Sequence, residues 1–244
     1  MGNKIASDGP LSEGNKVLKR LVENKVVVRT LSSLVLIPII LYVLYNGGLL
    51  YILSVMAISI LALLEWVKII HNKQMTLFNR VEWYIFGLLY SSLFIWTMCF
   101  LRSNVYGTQL VLWLCIMVWS TDIAAYFGGI TFRGPKLMPK ISASKTWSGS
   151  ISGVVVAMML GIFFQNFLHA ALSIGLAYSV SLCLLVSVVA QIGDLLESAF
   201  KRHFGVKNSG RFVPGHGGIL DRIDSLCLAA LFLAAILYYL ELRT

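Results

Sequence analysis

Seven apolar stretches constrain this chain more than any other feature. They run approximately over 26–45, 48–70, 83–101, 110–130, 151–168, 171–190 and 223–240. Each is long enough to cross or nearly cross a bilayer. Inside lipid, backbone polar groups find no water and must bond within their own segment, so such stretches fold as helices. Composition agrees: 58% of the 244 residues are hydrophobic and only 13% are charged, which excludes an ordinary soluble domain. The expected fold is all-α, a polytopic integral membrane protein of about seven transmembrane helices. Eight or nine helices follow if the 191–218 segment is itself buried in the membrane. Asn46-Gly47-Gly48 reads as a tight turn between the first two spans.

The basic residues orient these spans. Eighteen of the twenty lysines and arginines fall in the N-terminal tail, its junction with the first span, and the second, fourth and sixth connections; Arg102 and Arg243 alone fall on the other side. The positive-inside rule then places the N-terminus in the cytoplasm and the C-terminus outside. Residues 131–150 and 191–222 come to face the same compartment. The charged tail precedes an apolar run without a small-residue cleavage site, so an uncleaved first span is expected. The chain divides into a basic cytoplasmic tail (1–25), N-terminal transmembrane helices (26–105) and a C-terminal transmembrane region (106–244). That last region carries cytoplasmic loops at 131–150 and 191–222. The net charge of +9 obeys membrane topology and comes with no nucleic-acid motif, so no nucleic-acid partner is expected. Cys99, Cys115, Cys183 and Cys227 all lie in apolar runs and form no CxxC pair, which points to packing rather than to zinc or disulfides.

Charge is costly near lipid, which makes 191–225 the informative stretch: QIGDLLESAFKRHFGVKNSGRFVPGHGGILDRIDS. As a helix, Asp194, Glu197, Ser198 and Lys201 share one face at i, i+3, i+4 and i+7. Gly205, Gly210, Pro214, Gly215, Gly217 and Gly218 then break the helix, and the PGHGG segment can present backbone N–H groups to an anion. Asp221 and Asp224, with Arg222 between them, open the next helix. Acids on two helices suit a metal; Lys201, Arg202, Lys207 and Arg222 suit an anion. Together they point to a metal-bound polyphosphate.

The run SAFKRHFGVKNSGRFVPGHGGILDRIDS resembles the signature of the phosphatidate cytidylyltransferase (CDP-diacylglycerol synthase) family. Matching residues are Ser198, Lys201, Arg202, Lys207, Pro214, His216, Gly217, Gly218, Asp221, Arg222 and Asp224. Asn208 stands where that family has Asp. Gln191–Ser198 is similar to the family's Gly-Asp-x-x-Glu-Ser run. A second region, containing Asp122, Tyr126, Gly128, Ser142, Lys145, Thr146, Trp147 and Gly149, resembles its Ser-Pro-x-Lys-Thr-x-Glu-Gly motif, with Ala143 and Ser148 replacing Pro and Glu. The resemblance covers about half of the chain, 119–240.

That resemblance implies a reaction and its parts. CTP and phosphatidic acid give CDP-diacylglycerol and pyrophosphate, in phospholipid biosynthesis at the bilayer. Asp194 and Asp221 are the expected Mg²⁺ ligands, with a second metal ion left open. Asp194, Asp221, Asp224, Lys201 and Arg222 form the expected catalytic set. Ser142, Lys145, Thr146, Ser198, Arg202, Lys207, His216, Gly217 and Gly218 are expected to bind CTP or the lipid headgroup. A homodimer is left open, as are acyl-chain preference and the packing of the first three spans. A bacterial cytoplasmic (inner) membrane location is expected, with the site facing the cytoplasm.

Three alternatives stay open. One is another CTP-dependent lipid enzyme, with an isoprenoid or diacylglycerol acceptor. Another is a member that binds nucleotide without turnover. An ion-coupled transporter using Asp122 and Asp194 fits less well, because the charges gather towards one face and no internal repeat is evident. Glu65 is read as a helix-end residue pairing with Lys68 at i+3.

Overall fold

The structure is a computed structural model that describes residues 25–164, 175–210 and 217–242. Residues 1–24 of the basic tail, the 165–168 end of the fifth expected span, the 171–174 start of the sixth, and Arg211, Pro214, Gly215 and His216 lie outside the described residues. The elements are α1 (Lys25–Asn46), α2 (Gly48–His71), α3 (Leu77–Ser103), α4 (Gly107–Thr131), β1 (Lys136–Met138), β2 (Ser142–Thr146), α5 (Trp147–Phe163), α6 (Leu176–His203) and α7 (Leu220–Glu241). Each of the seven expected spans therefore corresponds to one helix. Five are long and apolar enough to cross a membrane: α2, α3, α4, α6, and α7 over Leu220–Leu240. The apolar helical stretches Leu34–Asn46 in α1 and Trp147–Phe163 are shorter. The chain is an all-α polytopic membrane protein.

The 191–203 segment adds no further span. It continues α6 without a break, so the acids and bases of that stretch ride on the end of a 28-residue helix. At 1.5 Å per residue this helix is about 42 Å long, beyond the roughly 30 Å of a hydrocarbon core. Its charged end can thus leave the apolar layer while its body stays inside.

Helix α4 is the hub and packs on α1, α3, α5, α6 and α7. Its residues Leu110, Trp113, Leu114 and Met117 are completely buried. A helix that is apolar on every side belongs in such a position. Many large apolar side chains on the other helices, including Leu34, Ile52, Leu88 and Val155, remain exposed, as a lipid-facing surface requires.

Close approach of α4 and α5 rests on small residues. Gly149, Gly153, Ala157 and Gly161 recur every four positions along α5, and all are buried. A Cβ at Gly153 would sit 2.8 Å from the Thr121 carbonyl oxygen, and one at Gly149 would sit 2.5 Å from that of Ala125. Water offers no hydrophobic drive between helices in lipid, so packing of this kind holds them together. Polar bonds add to it: buried Thr121 and Ser187 share a 2.8 Å hydroxyl contact between α4 and α6, and the Trp113 indole donates to the Gly161 carbonyl at 3.3 Å. The result delivers the start of α5 to the charged end of α6.

The N-terminal helices pack on that same end. Trp66 of α2 stacks on Phe200 of α6, with centroids 3.8 Å apart and planes 13° apart. Trp83 of α3 meets Phe200 and Phe204 at 5.5 and 5.1 Å. Lys73 donates to the His203 carbonyl at 3.3 Å.

Candidate active site

The site assembles from three pieces of backbone. The first is the antiparallel β1–β2 hairpin, paired Lys136 to Thr146 and Met138 to Ser142. The short strands lie within the connection expected as a loop. Thr146 ends β2 and caps α5, its hydroxyl accepting from the Gly149 N–H at 3.1 Å. That bond explains why the helix begins there, since an N-cap hydroxyl satisfies one of four orphan amides. Thr146 is buried and already engaged, whereas Lys145, one residue earlier, reaches across to α6 and forms an ion pair with Asp194.

The second piece is the end of α6. Asp194 also accepts from Ser198 Oγ at 3.4 Å. One turn on, buried Lys201 forms an ion pair with Glu197 of its own helix and donates to Asp221 Oδ1 of α7 at 2.6 Å. Lys201 thus sits between two carboxylates with only 10% of its side chain exposed. A cation this buried needs a carboxylate partner, and here it has two. Arg202 faces elsewhere: its guanidinium donates to the carbonyls of Ile141 and Val206, at 3.1 and 3.0 Å, tying the hairpin to the loop after α6.

The third piece is the glycine loop and the start of α7. Asp221 Oδ2 accepts from the N–H groups of Gly218 and Ser209, at 3.1 and 3.4 Å. Gly217 has φ +89°, a conformation that L side chains rarely adopt, and its turn aims the Gly218 amide at Asp221. The amide expected for a ligand phosphate is therefore taken by the Asp221 carboxylate at the start of α7. Asp224 is buried and accepts from the Ser225 N–H at 2.7 Å. Lys207, Asn208 and Arg222 are exposed. Asp122 of α4 completes the group, with Asp194, Lys145 and Arg222 as its charged neighbours.

Sequence-selected residues therefore converge from both regions: Lys145 with Asp194, and Lys201 with Glu197 and Asp221. Ser142 lies on β2, Ser198 on α6, and His216 outside the described residues. Among the described residues, no three His, Cys, Asp or Glu side chains stand close enough to cage a metal by themselves.

One expectation is overturned. Glu65 does not act as an exposed helix-end partner of Lys68. It is completely buried, while Lys68 is exposed, and its Oε2 accepts the Leu220 N–H at 2.9 Å. The signal was present, since a lone acid in an apolar helix marks an internal partner, but that partner lies 155 residues away. Trp66, Trp83 and Lys73 were likewise missed, because an aromatic or lysine in a hydropathic segment carries no mark of where it will dock.

Fold and site together define a membrane-embedded helical protein with paired acids and lysines around a glycine loop. Residues 70–240 match the model of the cytidylyltransferase family. The chain belongs to that family. Relatives named phosphatidate cytidylyltransferase include one from Brucella suis biovar 1 (strain 1330), 45% identical over 152 residues, covering 62% of this chain and 55% of the relative. Another, from Bacillus subtilis (strain 168), is 47% identical over 135 residues, covering 55% of this chain and 48% of the relative. A third, from Rickettsia conorii (strain ATCC VR-613 / Malish 7), is 34% identical over 230 residues, covering 92% and 96%. The chain thus spans about half the length of the Brucella and Bacillus relatives and nearly all of the Rickettsia one.

Proposed function

We propose that this chain transfers the cytidylyl group of CTP to phosphatidic acid, giving CDP-diacylglycerol and pyrophosphate. The observation that carries the reading is the Lys145–Asp194 ion pair, which joins the two sequence regions that resemble the cytidylyltransferase motifs. Relatives named for this activity support it. A phosphate oxygen of the lipid attacks the α-phosphorus of CTP, and the bond from that phosphorus to the bridging oxygen of the leaving pyrophosphate breaks. Both reactants are anions, so the protein's task is to neutralise and align them. A lipid phosphate monoester is largely ionised near neutral pH and needs no general base.

Roles follow from placement. Lys145 and Lys201 bind phosphate oxygens and, being paired with acids, are held in place before substrate arrives. Arg222 and Lys207, both exposed, meet the outer phosphates of CTP or the headgroup. Arg202 and Thr146 shape the site, the first by bracing two loops and the second by capping α5. Ser142, Ser198 and His216 complete the expected substrate contacts, while Gly217 and Gly218 act through Asp221, which their turn holds in place. An apolar groove of about 530 Å³ between α4 and α5, lined in part by Phe127, Ile151 and Val155, suits an acyl chain.

The donor set fits Mg²⁺, which is usually held by one or two carboxylates together with substrate phosphates and water rather than by a protein cage. Asp194 and Asp221 would hold it, with Asp224 as a further carboxylate. Bound there, the ion would neutralise phosphate charge. The basic-residue distribution supports a site facing the cytoplasm, and the bacterial relatives are consistent with an inner-membrane location.

The test is purified protein with CTP, Mg²⁺ and phosphatidic acid, followed for pyrophosphate release and CDP-diacylglycerol formation. Diacylglycerol and an isoprenoid alcohol serve as competing acceptors. Turnover with either of these and none with phosphatidic acid would reject the assignment.

A further inference from the structure

Glu65 comes from α2, outside the family-matched segment, yet it meets the loop between α6 and α7 at three points. Its Oε2 accepts the N–H of Leu220, the first residue of α7. That helix has no side-chain cap from its own N-cap residue, Ile219. A carboxylate from another helix therefore serves the positive helix end. Glu65 also lies under two glycines: a Cβ at Gly210 would collide with its Oε1, and one at Gly218 would sit 2.5 Å from Oε2. Oε1 has no hydrogen-bond partner among the described residues. Burying a half-satisfied carboxylate is costly, so stability alone is a poor reason to keep it.

Its neighbours give a better one. The residue after Leu220 is Asp221, which takes the Gly218 and Ser209 amides and the Lys201 ammonium. Glu65 and Asp221 therefore both hold the 209–220 segment. The residue after Glu65 is Trp66, which stacks on Phe200, one position from Lys201. Helix α2 thus contacts both elements that must meet for Lys201 to reach Asp221.

We propose that Glu65 is a positioning residue for cytidylyl transfer: through the Leu220 amide and the Gly210–Gly218 contacts it sets Asp221 against Lys201. This rests on the transferase reading above. Full-length protein carrying Glu65→Ala, Glu65→Gln or Gly210→Ala is to be assayed for kcat, KM for CTP and Mg²⁺ dependence. The alanine at 65 removes the acceptor; the alanine at 210 pushes the carboxylate off Leu220. Each is expected to lower kcat by about 10²-fold, as small misplacements of reacting groups do, with little change in KM for CTP and a higher Mg²⁺ requirement. Glu65→Gln keeps an acceptor oxygen and the volume, and is expected to retain most turnover.

A second readout needs no activity. In a Cys99→Ser background, a cysteine introduced by Asn208→Cys is labelled with a maleimide in substrate-free protein. Labelling is expected to speed up with Glu65→Ala and with Gly210→Ala, and to stay at the parental rate with Glu65→Gln. Should Glu65→Ala fail to fold, Gly210→Ala decides between the outcomes. If the parent protein transfers no cytidylyl group, the functional reading falls while labelling still decides the role of Glu65. Parental kcat and labelling in the alanine variants, or a glutamine variant as impaired as the alanine one, would overturn the proposal.

Discussion

Lys201 shows how one residue can serve stability and chemistry at once. It lies between Glu197 and Asp221, all three side chains largely buried. Lys201→Met removes the cation and leaves two acids facing each other, which should cost about 3–5 kcal/mol. The expected result is a lowered melting temperature in detergent, partly restored by adding Glu197→Gln; an unchanged melting temperature would remove the structural role. Asp194→Asn and Asp221→Asn act differently, because each keeps the shape and loses the charge. Both should abolish turnover while leaving a monodisperse protein, as seen in pyrophosphate release and size-exclusion profiles. Substantial Mg²⁺-dependent activity in either would end the metal assignment. Asn208 is the residue-level departure from the family. It is exposed and precedes Ser209, whose amide faces Asp221. Asn208→Asp should therefore fold normally and give equal or higher activity, with a lower Mg²⁺ requirement if the new carboxylate joins the site. A Mg²⁺ titration of both forms decides this: lost activity with raised metal affinity would give the amide its own role.

At the scale of elements, helix α5 places Lys145 by two devices. Its glycine stripe lets it lie against α4, and Thr146 fixes where it starts. Gly153→Leu would push a side chain into the Thr121 carbonyl and separate the helices. The expected outcome is loss of folded protein or a large drop in melting temperature, with Gly153→Ala milder; equal stability in all three forms would show that the close contact is not needed. Thr146→Ala should cost about 1 kcal/mol through the lost cap, while Thr146→Ser should be nearly neutral. The α4–α5 pairing could not be read from hydropathy, because a glycine in an apolar run does not reveal which backbone approaches it. The acid-bearing end of α6 was more legible: Asp194, Glu197 and Lys201 fall at helical spacing, and they do share a helix.

Across the whole molecule, basic residues and packing describe the same polarity. The hairpin, the end of α6 and the start of α7 gather at one end of the bundle, joined by the Lys145–Asp194 and Lys201–Asp221 pairs. At the α1–α2 turn, Arg102 of α3 donates to the Leu44 carbonyl at 3.3 Å and lies 6.0 Å over the Tyr51 ring. A cysteine at exposed Asn208 should accordingly react with an impermeant label from the cytoplasmic side only, and one at exposed Ser103 only from the opposite side. Labelling of both from one side would refute the proposed topology.

Hydropathy determined the rough limits of the helices among the described residues, because water and lipid sort side chains by local composition alone. The motif runs likewise determined the family and the acids and lysines worth following, since local spacing puts them on shared helix faces. Pairing was decided only in three dimensions. Lys145 on strand β2 finds Asp194 on α6, Glu65 finds Leu220 across 155 residues, and Trp66 finds Phe200. Those contacts depend on which helices adjoin and at what rotation, and that is set by the sum of many packing contacts around α4. Glu65 carries the point most plainly: local sequence offers it Lys68, and the folded bundle gives it a helix end instead, because a buried carboxylate must take the donor that packing brings to it.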